Sequence, residues 1–201
     1  MAAIIDIIII RLNKTVIKEN PASLSTKQRV SLVGVLSVLY LGCLLIAAPP
    51  YFVIIGSMVL IPWLIWLTIT DLEHLVIPDI ANIGIALSGL MFLLWHYPDR
   101  LIPHMIAGCV AALLFWTISI IFRRLRGYDG LGMGDTKFIF GCGLWVGLIG
   151  VINVIFLASI IGILATLCVN RLSNKKDERY IPFGPFLAFS TFYIWLFGPV
   201  L

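Results

Sequence analysis

Two acids are the residues most able to do chemistry in this chain. Asp71 closes the apolar run Ile61-Pro62-Trp63-Leu64-Ile65-Trp66-Leu67-Thr68-Ile69-Thr70. Asp135 lies within Gly130-Leu131-Gly132-Met133-Gly134-Asp135-Thr136-Lys137, where a basic loop meets another apolar segment. An ionised carboxylate beside hydrocarbon is costly, so an acid there is a functional candidate by default. Two carboxylates brought together can hydrolyse a peptide bond. The ionised one takes a proton from water while the protonated one polarises the scissile carbonyl. Like charges held close do not both ionise cheaply, so the pair keeps one proton between them and titrates as a unit.

The residues around the acids have plainer readings as well. Gly132 and Gly134 allow φ > 0 and would let a substrate backbone lie beside Asp135; the same stretch also reads as a turn before a helix, with Asp135 its N-cap. Pro78 disfavours helix at Ile77 and suits a helix start. Asp79 then falls near the opening of the next apolar segment, where a capping or structural role is the simple reading. Glu73 reads as a solvated loop acid able to attract a basic substrate, and Lys137 as a residue that orients the loop or contacts lipid headgroups. A single His74 beside these acids is thin ground for a metal site, and no metal or cofactor is expected. Four cysteines, Cys43, Cys109, Cys142 and Cys168, fall inside apolar runs with no C-x-x-C pair and read as small buried residues.

The elements that must position these groups are membrane helices. The chain is 61% hydrophobic and 12% charged, with a mean hydropathy of +1.07. Its apolar runs reach the length of about 20 residues that a spanning helix needs. Seven segments qualify, near 30–48, 52–70, 79–97, 102–122, 137–150, 152–170 and 183–201. Ile4 to Leu12 forms a short N-terminal apolar stretch that is too short to span alone. The expectation is an all-α polytopic transmembrane bundle, one membrane-embedded domain over residues 1–201. Connecting segments are too short to bury cores of their own.

Charge sets the orientation. Alternating the connections puts thirteen of the fourteen Lys and Arg on one side, with Arg100 alone on the other. By the positive-inside rule that side is the cytoplasm. Asp71 and Asp135, 64 positions apart, then share the cytoplasmic face, while His96 and His104 lie opposite. The formal net charge of +4 is spread between apolar runs rather than gathered on one face, which argues against nucleic acid as a partner.

At these residues the sequence resembles the type IV prepilin peptidases, a family of membrane aspartyl proteases. That family pairs an Asp in a D-x-x-x-x-x-I-P-D-like stretch with an Asp in G-x-G-D-x-K. Here the two motifs read Asp71-Leu72-Glu73-His74-Leu75-Val76-Ile77-Pro78-Asp79 and Gly132-Met133-Gly134-Asp135-Thr136-Lys137. Ile181-Pro182-Phe183-Gly184-Pro185 resembles a late motif of the same family, and Ile7-Ile8-Ile9-Ile10-Arg11-Leu12 the end of its first helix. The resemblance implies Asp71 and Asp135 as the catalytic pair and Asp79 as a supporting acid. It further implies type IV prepilins or pseudopilins as substrates, whose basic leader is removed at the cytoplasmic face of the bacterial inner membrane. Many bacterial members carry an insert with paired C-x-x-C motifs after the first helix and also N-methylate the product. The 11–29 connection here holds no cysteine, so cleavage without methylation is expected.

Three rival readings are a transporter or proton pathway using interfacial acids, a non-catalytic scaffold for pilin-like helices, and a relative of signal-peptide peptidase. The first predicts acids near mid-span. The two motifs with Ile77-Pro78-Asp79 and Ile181-Pro182-Phe183-Gly184-Pro185 favour prepilin processing over the last. Membrane lipid is the other partner implied; oligomeric state is not legible.

Overall fold

The computed structural model describes residues 24–127, 132–172 and 182–198. The stretch from Ile4 to Leu12, with Gly130, Leu131 and Ile181, lies outside them. Every regular element among the described residues is helical: α1 (Thr26–Ala47), α2 (Tyr51–His74), α3 (Asp79–His96), α4 (Leu101–Arg126), α5 (Met133–Leu172) and α6 (Gly184–Phe197), with a 3-10 turn at Pro98–Arg100. The chain is an all-α membrane bundle. In hydrocarbon every backbone polar group must be satisfied internally, and a helix does this within one segment. Five helices, α1 to α5, are long and apolar enough to cross a membrane, and α6 is a shorter apolar helix.

Helix ends follow local chemistry. At the start of α1 the Gln28 side chain reaches back to accept from the Ser25 N–H at 3.1 Å. Its end falls at Ala48, directly before Pro49-Pro50, where continued helix is disfavoured. After α2, Leu75 takes a left-handed conformation with φ 55° and donates its N–H to the Asp71 carbonyl at 2.9 Å. Ile77-Pro78 then turns the chain into α3, whose first turn closes on the Pro78 carbonyl. Gly127, with φ 78°, ends α4.

The forty residues of α5 would run about 60 Å if straight, twice the hydrocarbon thickness of about 30 Å. Gly147 breaks it, with φ 69° and ψ −176°, a conformation glycine adopts without strain. Contacts with α6 show that the chain doubles back there. Cys142 meets Thr191 and Trp145 stacks edge-on with Trp195, so the first arm runs parallel to α6. Beyond the break, Gly150 lies against Ile194 and Gly162 against Phe186, so the second arm runs antiparallel to it. The sequence placed this turn between 150 and 152; it falls at Gly147. His104 of α4 caps the break by donating from Nδ1 to the Leu144 carbonyl at 2.9 Å. Gly143 packs on Gly108 of α4, the close approach that small residues permit.

The result is a bundle with two distinct ends. The end of α2 and the starts of α3, α5 and α6 meet at one of them. Arg29 of α1 and Lys137 of α5 also make their contacts there. The opposite end gathers His96, His104 and the break at Gly147, and Arg100 lies over the Tyr97 ring 5.2 Å from its centre. Between the ends, Tyr40, Leu60, Leu64, Phe138, Leu187 and Phe192 are fully buried. The cysteines are less uniform than their runs implied: Cys142 is buried, Cys43 half-buried, and Cys109 and Cys168 exposed. An exposed position on a membrane helix is as apolar as a buried one, so hydropathy does not separate them.

Candidate active site

Asp71 sits in the last turn of α2 with only 6% of its surface exposed. The Gly184 N–H, at the start of α6, donates to its Oδ2 at 2.9 Å. The positive end of a helix thus faces a carboxylate, an arrangement helix starts favour. A larger residue at 184 would displace that carboxylate or α6, because an added Cβ would lie 2.7 Å from the same oxygen.

Asp135 occupies the first turn of α5. Gly132 closes that turn, its carbonyl accepting from the N–H groups of Asp135 at 3.1 Å and Thr136 at 3.4 Å. The Asp135 carboxylate folds back over Gly132, where an added Cβ would meet its Oδ2 at 3.2 Å. It stands at the same end of the bundle as Asp71, on the start of α5 where Asp71 closes α2. Asp135 is therefore not an N-cap; Gly132 takes that position.

The start of α3 holds the start of α5. Ile77 packs so closely on Gly134 that a Cβ there would lie 2.8 Å from the Ile77 Cβ. Asn82 Nδ2 donates to the Gly134 carbonyl at 3.3 Å. Asp79, the first residue of α3, accepts from Lys137 Nζ at 2.7 Å. Pro78 supplies the extended residue before that helix.

Several expectations about these residues need correcting. Gly134 takes no positive φ, and the space beside it is filled by Ile77 rather than left open for a substrate. Glu73 is not a solvated loop acid. It lies in the last turn of α2, 3% exposed, where Arg29 Nε pairs with its Oε1 at 2.6 Å and His74 Nε2 stands 3.6 Å from Oε2. A carboxylate buried there needs a partner, and α1 supplies it. Lys137 donates to Asp79, a contact compatible with the loop-orienting role read for it. Among the described residues no three His, Cys, Asp or Glu gather as metal ligands.

Two site residues were missed by sequence reasoning as individual contributors. Gly184 was visible only as part of the late motif. Asn82 had a physical signal, a lone amide in an apolar span one turn after Asp79, where an unpaired polar group is costly. Away from both acids, a groove of about 840 Å³ opens between α2 and α3, lined by Ile55, Val59, Ile83, Leu87 and Met91 among others and reaching His96 at the opposite end.

Comparison with known proteins agrees with the motifs. The model of the type IV leader peptidase family matches residues 58–167, which include both acids and the start of α3. Among curated proteins, the chain is 30% identical over 145 residues to a prepilin leader peptidase/N-methyltransferase of Xanthomonas campestris, covering 71% of this chain and 50% of that one. It is 31% identical over 140 residues to a protein of the same name from Aeromonas salmonicida, covering 69% and 48%. A Dickeya chrysanthemi protein of that name is 30% identical over 144 residues, covering 70% and 50%. The chain thus spans about half the length of these relatives. No solved structure matches it. With the match covering more than half of the chain and both aspartate motifs within it, this protein belongs to the type IV leader peptidase family.

Proposed function

We propose that this protein is an aspartyl endopeptidase of the bacterial inner membrane, removing the leader peptide of type IV prepilins or pseudopilins through Asp71 and Asp135. The reading carries seven crossings, counting both arms of α5, with the acids at the cytoplasmic face, where the basic residues also gather. One observation supports it most: acids 64 positions apart stand at the same end of the bundle, on the end of α2 and the start of α5. The relatives' printed names supply the substrate class.

The chemistry needs no group beyond the two carboxyls and water. One carboxylate removes a proton from water, and the hydroxide formed adds to the scissile carbonyl carbon. The other carboxyl gives its proton to the carbonyl oxygen. Collapse of the tetrahedral diol breaks the C–N bond as the first carboxyl gives its proton to the departing nitrogen and the second takes one back from a diol hydroxyl, which restores the one-proton pair. The low dielectric of the membrane edge strengthens these interactions while water still enters. Gly184 orients Asp71, and the contacts of α3 orient Asp135. The proposal covers cleavage alone, since the 11–29 connection carries no cysteine.

The test is to incubate the purified protein in lipid nanodiscs with a panel of prepilin-like substrates and map the cut by mass spectrometry. Cleavage directly before an apolar helix, lost in Asp71→Asn and in Asp135→Asn with folding retained, is the expected result. Full activity in either variant overturns the pairing.

A further inference from the structure

Asn82 lies one turn into α3, in a segment otherwise built from Ile80, Ala81, Ile83, Gly84 and Ile85. Only 5% of it is exposed. Packing alone would be met by an apolar side chain of the same shape, and an amide brings a desolvation cost unless it is bonded. Its bond is specific: Nδ2 donates to the Gly134 carbonyl at 3.3 Å. That carbonyl belongs to the peptide joined directly to the Asp135 nitrogen. The bond therefore sets the plane from which the Asp135 side chain leaves the backbone. Ile77, pressed against Gly134 from the connection just before α3, limits movement of that residue. Asn82 Oδ1, and Thr136 Oγ1 beside Asp135, find no partner among the described residues, so the amide is committed to Gly134 through its donor side alone.

We propose that Asn82 is a positioning residue for peptide cleavage, whose amide holds the Gly134–Asp135 peptide so that the Asp135 carboxyl meets Asp71 in reactive geometry. The inference rests on the proposed dyad. Asn82 acts through Gly134 and does not touch the reacting atoms. Its loss should leave substrate binding intact and slow the chemical step, because misplacement of a reacting group by about 1 Å costs about 100-fold in rate.

The experiment compares the full chain in nanodiscs with Asn82→Leu, Asn82→Asp and Asn82→Gln, using a prepilin-like substrate with a defined cut. Asn82→Leu keeps the shape without a donor, Asn82→Asp offers the Gly134 carbonyl another acceptor, and Asn82→Gln keeps the donor. Leu and Asp variants should lose about 10- to 100-fold in kcat, with KM within about 2-fold and an unchanged melting midpoint. Asn82→Gln should recover most of the rate. A folded Asn82→Leu with native kcat overturns the proposal. So does a Gln variant that is folded and as slow as the Leu variant, or a loss that appears only as lowered melting and raised KM. Asp135→Asn in the same assay keeps the two claims apart, since full cleavage there refutes the dyad itself.

Discussion

At the end that carries the two acids, neighbouring helices meet through charge and amide chemistry. Asp71 accepts from Gly184, Asn82 donates to Gly134, Lys137 to Asp79, and Arg29 pairs with Glu73. At the other end the same helices meet through rings. Phe92 stacks on Trp145 at 5.4 Å and on His96 at 4.7 Å, and stands edge-on to Trp195 at 5.0 Å. The Trp145 and Trp195 N–H groups are satisfied by Ile85 and Ser57. Between membrane helices hydrophobicity gives no net pull, because lipid tails are as apolar as the side chains. Ring packing can hold a bundle together but leaves atomic positions soft. Directional bonds fix a carboxylate to a fraction of an ångström, which paired acids require. Substitutions at the acid end should therefore change rate, and those at the ring end should change stability.

Gly184→Ala is the sharpest way to break that contrast. Its Cβ would sit 2.7 Å from Asp71 Oδ2, so the carboxylate or α6 must shift. Single-turnover cleavage should fall about 100-fold, with the bundle still folded by size-exclusion chromatography. Native rates would show that α6 does not position Asp71.

At the opposite end, Gly147→Ala forces a Cβ into φ 69° beside His104. Thermal unfolding in detergent should reveal a loss of about 1–3 kcal/mol, while the folded fraction cleaves at the native rate. A large fall in kcat without a stability change would erase the distinction between the ends.

The smallest effect belongs to the exposed pair at the acid end. Lys137 and Asp79 are both well exposed, and such pairs are worth about 0–1 kcal/mol. In a double-mutant cycle with Lys137→Ala and Asp79→Ala, the coupling in melting should stay below about 1 kcal/mol. A larger value would mean that the pair, rather than Asn82 and Ile77, secures α5 on α3.

Hydropathy made the helical bundle legible, and the alternation of charge placed Asp71 and Asp135 at one end before any contact was known. The break in α5 was legible as a turn but not to the residue. Four glycines compete over 141–150, and the choice depends on His104, supplied by another helix. Glu73 was misread because its burial depends on α1, whose rotation against α2 hydropathy does not encode when all faces are apolar. Gly134 was read as freedom for a substrate, whereas its missing side chain makes room for Ile77. Asn82 bonds the Gly134 carbonyl and Gly184 the Asp71 carboxylate, partners far off in the chain, a kind of pairing that single-sequence periodicity does not carry.

The account stands most directly on whether Asp71 and Asp135 act as one unit. Single-turnover cleavage rates of Asp71→Asn, Asp135→Asn and the double variant, in the same nanodiscs, measure this. If the acids share one proton and one transition state, each single variant loses at least about 1,000-fold and the double variant is no slower than either. Native-rate cleavage by either single variant, or losses that multiply in the double as for independent sites, would contradict the dyad.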